Sequence, residues 1–131
     1  MSSWKELDES IKILKNNNLV IMQCSSMYPC PPEKVGLNVI NEMKKKYKRD
    51  IGYSDHTIGM AAPFAAATLG AVAIEKHLTF SKYMYGSDAK NGMEPKDFFQ
   101  MSNGIKEIWK MIDHNVDKND IKNFKNMKKI F

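Results

Sequence analysis

The chain has 131 residues, 43% of them hydrophobic and 27% charged, which suits one globular domain and excludes a disordered chain or two domains of ordinary size. No apolar run approaches the roughly 18 residues of a membrane span, and the opening "MSSWKELDES" has no apolar core before a small-residue cleavage site, so neither a transmembrane helix nor a secretory signal is expected. The formal charge of +5 comes mainly from lysines in "KKKYKR" (44–49) and the tail. Such clusters admit a nucleic-acid partner, but a solvated helix end that suits the helix dipole is the simpler reading.

Ser3 and Glu6 match the S-x-x-E capping box, in which each side chain satisfies a free backbone N–H at a helix start. They predict a helix over 3–16, with Trp4, Leu7, Ile11 and Leu14 on one face and "NNN" (16–18) as its stop. "LVIMQC" (19–24) is apolar without alternation, as in a strand buried on both faces of a parallel sheet. Three prolines make "SSMYPCPPE" (25–33) a loop. A helix over 36–48 puts Leu37, Ile40, Met43 and Tyr47 on one side, and "DIGYSD" (50–55) is a short strand. Residues 58–70 form a small-residue helix with Pro63 in its first turn and Gly70 as its terminating glycine. "AVAIEKHLT" (71–79) is the next strand and 80–93 a long polar loop. A last helix runs from Pro95 to about Ile112, with Phe98, Met101, Ile105, Ile108 and Ile112 at helical spacing.

The order α-β-α-β-α-β-α means an α/β fold with a parallel sheet and right-handed crossovers. In such folds the loops after the strands' carboxyl ends carry the chemistry. Here those loops begin "SSMYP", "SDHT" and "HLTFSKYMYGSD", so the reactive residues gather at one edge of the sheet.

His56 and His77 stand at the same end of successive strands. Adjacent strands lie about 4.8 Å apart, so two imidazoles there can meet as ligands of a borderline divalent metal. One surface histidine and one hydrogen-bonded histidine would fit the same pattern. Ser25, Ser26 and Ser54 offer hydroxyls for an anion, or serve as loop and capping residues. Glu75 and His77 share a strand face while Lys76 points the other way; Glu75 is then a pocket acid or half of a structural salt bridge. Tyr28 is a sugar-contacting wall or loop packing, and Asp88 a ligand-facing or a turn residue. Cys24 and Cys30 read as free thiols in a reducing cytoplasm rather than a disulfide framework or zinc site. There is no Gly-rich phosphate loop and no nucleophile elbow.

Together, "MQCSSMYPCPPE", "IGYSDHTIGMAAPFAAATLGAVAIEKHLTF", "YGSDAKNGMEPKDF" and "NMKKIF" resemble the sialic acid (N-acetylneuraminate) synthase family, which joins phosphoenolpyruvate to an N-acetylated amino sugar. The resemblance spans nearly the whole chain. It implies a partial TIM (β/α)8 barrel, about the last three βα units, over 1–113, and a basic tail over 114–131 that would lead to an absent antifreeze-like domain. It implies that His56 and His77 bind a divalent metal, manganese first and magnesium or cobalt as alternatives. Ser54 and Ser26 would contact phosphoenolpyruvate, Tyr28 and Asp88 the amino sugar, and Glu75 would be the catalytic residue of the same pocket. Ser26 stands where some members carry asparagine, and Ala89 where many carry histidine or glutamine.

The resemblance further implies a cytoplasmic fragment, inactive alone, that forms a homo-oligomer or pairs with a complementing barrel half, with no nucleic-acid or membrane partner. The alternatives are a non-catalytic fragment and a basic interaction module. The acceptor stays open between N-acetylmannosamine and the precursors of legionaminic or pseudaminic acid.

Overall fold

A computed structural model of the chain describes residues 2–14 and 18–119. Three parallel strands, β1 (Val20–Cys24), β2 (Asp50–Asp55) and β3 (Ile74–Lys76), form one sheet in the order β1-β2-β3. Helices α1 (Trp4–Leu14), α2 (Leu37–Tyr47), α3 (Ala61–Thr68) and α4 (Pro95–Asp113) alternate with them. This is the α/β order read from the sequence, with every strand pairing parallel.

Local chemistry sets most boundaries. The capping box forms: the Ser3 backbone N–H donates to Glu6 Oε2 at 2.7 Å, and the Glu6 N–H donates to Ser3 Oγ at 3.3 Å. Helix α3 ends in a Schellman motif. Gly70, at φ +85°, donates to Ala67 O, and Ala71 donates to Ala66 O, both at 3.0 Å. Pro95 opens α4, where its missing N–H removes no helical bond.

Two elements are shorter than their sequence patterns. Helix α3 starts at Ala61 rather than at residue 58, because Gly59 takes a left-handed φ of +91° and keeps Ile58 outside. Strand β3 covers three of the nine residues expected. At its start Ala71 caps α3; past Lys76 the chain turns from β2 and pairs with the 80–93 loop, through Met93 N to His77 O at 2.9 Å. The helix pattern at 15–16 lies outside the described residues, as does the tail beyond Asn119.

The core lies between the sheet and α2 and α3, where Ile21, Ile40, Met43, Ile51, Tyr53, Ala62 and Ala66 are buried. A second cluster joins α3 to α4 through Ala67, Met101 and Ile105. Small residues allow that close approach: a Cβ on Gly104 would lie 2.9 Å from the Phe64 ring. From α1, Leu7 and Ile11 reach the core, but Trp4 and Leu14, expected on the same buried face, are exposed. Helix α1 is tied instead at its polar side, where Asp8 accepts from Lys46 Nζ at 2.9 Å and from the Tyr47 hydroxyl at 2.8 Å. Lys44 Nζ donates to Leu69 O at 3.2 Å, so two lysines of the "KKKYKR" cluster hold elements together. No helix among the described residues is long and apolar enough to cross a membrane.

Candidate functional site

Register decides which side chains meet. Ser54 of β2 lies opposite Cys24 of β1 and Glu75 of β3. Side chains alternate along a strand, so the residues two further on, His56 and His77, emerge on the same face at the same level. Their ring centroids are 5.2 Å apart. Tyr28, after β1 and joined to Pro29 by a cis peptide bond, lays its ring against both, at 5.2 Å from His56 and 4.8 Å from His77.

Each imidazole is oriented through Nδ1. His56 Nδ1 lies 2.6 Å from the carbonyl oxygen of buried Ser25. His77 Nδ1 lies 3.2 Å from an Asp88 carboxylate oxygen. Both partners only accept, so each Nδ1 carries the proton and donates. In a neutral imidazole that leaves Nε2 with a bare lone pair. Metal-binding histidines are commonly held this way, one ring nitrogen donating to an acceptor while the other meets the metal. The pair thus fits a divalent cation as two nitrogen ligands; among the described residues no cluster of three or more His, Cys, Asp or Glu adds to them. The face is open: the His77 side chain is 37% exposed and that of Asp88 58%.

The other expected site residues are divided. The Ser54 hydroxyl donates to Glu75 Oε1 at 2.7 Å. Its single proton is committed there, so an anion would have to displace the carboxylate to receive a bond from Ser54. Glu75 is exposed on the side of the histidines and forms no salt bridge among the described residues. Asp88 reaches His77 with its carboxylate, and its backbone oxygen accepts from the Tyr28 hydroxyl at 3.2 Å. Burial and the Asp88 charge raise the Tyr28 phenol above its ordinary value, so it stays a donor at neutral pH. Ser26 is exposed in the loop, while its neighbour Ser25 supplies the carbonyl that orients His56. Cys24 Sγ is 3.8 Å from His56 Nδ1, and both cysteines are free thiols.

Sequence reasoning missed a buried network on the opposite face. Asp55 and Lys76 form an ion pair with side-chain exposures of 0% and 3%. The Asp55 carboxylate also accepts from the Tyr53 hydroxyl at 2.8 Å, Thr57 N–H at 3.0 Å and Thr57 Oγ1 at 3.1 Å. Burial first, then the Asp55 charge and hydrogen bond, raise the Tyr53 phenol far above its ordinary value. The signal lay in "DH" and "KH": opposite charges, each just before a candidate ligand, on strands read as neighbours.

A NeuB family model matches residues 1–117 of the chain. The chain is 35% identical to the N,N'-diacetyllegionaminic acid synthase of Campylobacter jejuni, over 90% of this chain and 37% of that protein. It is 37% identical to the human N-acetylneuraminate-9-phosphate synthase, over 82% of this chain and 30% of that protein. The crystal structure of the N-acetylneuraminic acid (sialic acid) synthetase of Leptospira borgpetersenii, in complex with citrate, superposes with a TM-score of 0.83 at 28% identity. That match covers 98% of this chain and 46% of the synthetase chain. The chain spans about a third of the length of the curated relatives it matches.

Proposed function

The chain belongs to the NeuB family, and from that premise we propose that it supplies the two-histidine face of a site joining phosphoenolpyruvate to an N-acetylated amino sugar of the N-acetylmannosamine type. The product is a nonulosonic acid. The carbon–carbon bond forms between the methylene carbon of phosphoenolpyruvate and the aldehyde carbon of the open-chain sugar. The enol double bond supplies the electron pair, so the aldehyde oxygen takes up a proton and the phosphate-bearing carbon becomes cationic. Water adds there and loses a proton. Phosphate leaves by C–O cleavage with the electron pair of that bond, the remaining hydroxyl losing its proton to give the ketone.

His56 and His77 would hold a divalent metal, manganese by preference, through Nε2. When bound, the metal supplies Lewis acidity toward the sugar aldehyde. Asp88 and the Ser25 carbonyl keep both rings in the tautomer this role needs. Tyr28 walls the site beside the rings, where it and Asp88 can also meet the sugar. Glu75 would take the proton that the added water loses, and Ser26 and Ser54, the latter on release from Glu75, would contact phosphoenolpyruvate.

Among the described residues β1 and β3 each pair only with β2. Their outer edges accept further strands, so the reading includes a complementing barrel half or a second copy as partner. Two free thiols suit a reducing cytoplasm.

The observation that carries this reading is the pair of facing imidazoles, each with Nδ1 engaged by an acceptor. Manganese calorimetry on the chain, beside His56→Ala and His77→Ala, tests it. One site in the parent chain, weakened at least about tenfold in both variants, is the expected result. Unchanged binding in either variant, or none in the parent, would refute the metal reading.

A further inference from the structure

We propose that the buried Asp55–Lys76 pair, with Thr57, is a positioning device that sets the spacing and orientation of His56 and His77. The proposal rests on the metal-site reading for its importance, but its geometry stands apart from any metal.

The backbone ladder between β2 and β3 ends at the Asp55–Lys76 level, one residue short of the histidines. Beyond it the two segments take different partners. The His77 carbonyl accepts from Met93 N–H, and the His56 carbonyl accepts from Cys30 N–H at 2.8 Å. Register brings the two imidazoles to the same level, but no main-chain hydrogen bond among the described residues joins the two segments there to fix their spacing.

The side-chain network does link them. Lys76, the neighbour of His77, donates from Nζ to the Asp55 carboxylate and, at 2.7 Å, to the carbonyl oxygen of Thr57. Asp55 and Thr57 are the two neighbours of His56. Asp55 in turn accepts from the N–H and hydroxyl of Thr57, closing a tight turn around the histidine. One ammonium thus grips both sides of the His56 peptide from the residue next to His77. The network is satisfied throughout, with no unpartnered buried side-chain N or O among the described residues, so it has one low-energy arrangement. Its members lie behind the sheet, away from the imidazole face, and act only through the backbone.

Two readouts test this on the full chain. The first is manganese affinity by calorimetry. The second is the ring 15N spectrum of the metal-free protein, which reports whether each imidazole keeps a single Nδ1–H tautomer. Asp55→Asn combined with Lys76→Met removes both charges with little change of volume. Ile40→Val, in the core away from the network, serves as a control for general destabilisation. The expected result for the double variant is affinity lowered at least about tenfold and averaged His56 tautomers, with both readouts at the parent value in Ile40→Val. A folded double variant with parent affinity and fixed tautomers would overturn the proposal, as would equal losses in Ile40→Val. Should the parent bind no manganese, the metal reading fails and the 15N spectra alone decide the positioning role. Should the double variant not fold, Thr57→Val replaces it, with Thr57→Ser as rescue. Averaged tautomers in Val and fixed ones in Ser support the role, and identical spectra refute it.

Discussion

His56 and His77 face each other with ring centroids 5.2 Å apart because Ser54 and Glu75, two residues earlier on each strand, are register partners. A slip of one residue would send one imidazole to the back of the sheet and bring Asp55 or Lys76 to the front. The polar face and the buried ion pair are therefore two consequences of a single alignment.

Asp88 orients His77 from an exposed loop, so its removal should affect the site and spare the fold. Asp88→Ala is expected to weaken manganese binding about tenfold while changing stability by no more than about 0.5 kcal/mol. Asp88→Asn, which keeps an acceptor oxygen, should lose less. Calorimetry and urea melts of both variants check this.

Gly52 sits in β2 where neighbouring strands leave no room for a side chain. A Cβ there would clash with the Met22 sulfur and lie 2.9 Å from the Ala73 carbonyl oxygen. Gly52→Ala should cost about 1–3 kcal/mol by overpacking, read as a lower urea midpoint with an unchanged slope.

Tyr53 predicts a loss of stability in alkali. Its phenol is raised in the fold from an ordinary value of 10.0, so above that pH the unfolded chain releases the proton that the folded one retains. The stabilisation is complete below the ordinary value and is lost as pH rises toward the raised one. Tyr53→Phe should flatten this alkaline decline, at a cost of about 1 kcal/mol at neutral pH for the hydrogen bond to Asp55. Urea midpoints measured across the alkaline range would show the two curves converging.

Asp8 predicts the opposite limb. Lys46 first, then Tyr47, hold its carboxyl below the ordinary value of 3.8. Its contribution is present above that value and is lost as pH falls through the lowered one. Helix α1 should loosen from α2 in acid, seen as a change in Trp4 fluorescence in a Trp109→Phe background. Asp8→Asn should show the loosened signal already at neutral pH.

Much of the fold was legible because its determinants are local. Ser3 and Glu6 are three residues apart and bond to each other; Gly70 terminates α3 through bonds to the preceding turn. Ile40 and Met43, or Met101 and Ile105, recur at helical spacing and are buried together. The positions of His56 and His77 at the same strand ends were legible too, because strands in an alternating β/α order run parallel.

What the sequence by itself determined was the order of elements, most of their caps and the edge at which the reactive residues gather, since each depends on neighbours within a few residues. Tertiary structure alone decided that β3 is three residues long, that Ser25 and Asp88 each hold an imidazole, and that Asp55 pairs with Lys76 across 21 positions. Those contacts depend on register, which is chosen by the summed burial of whole strands and not by the preference of any one residue.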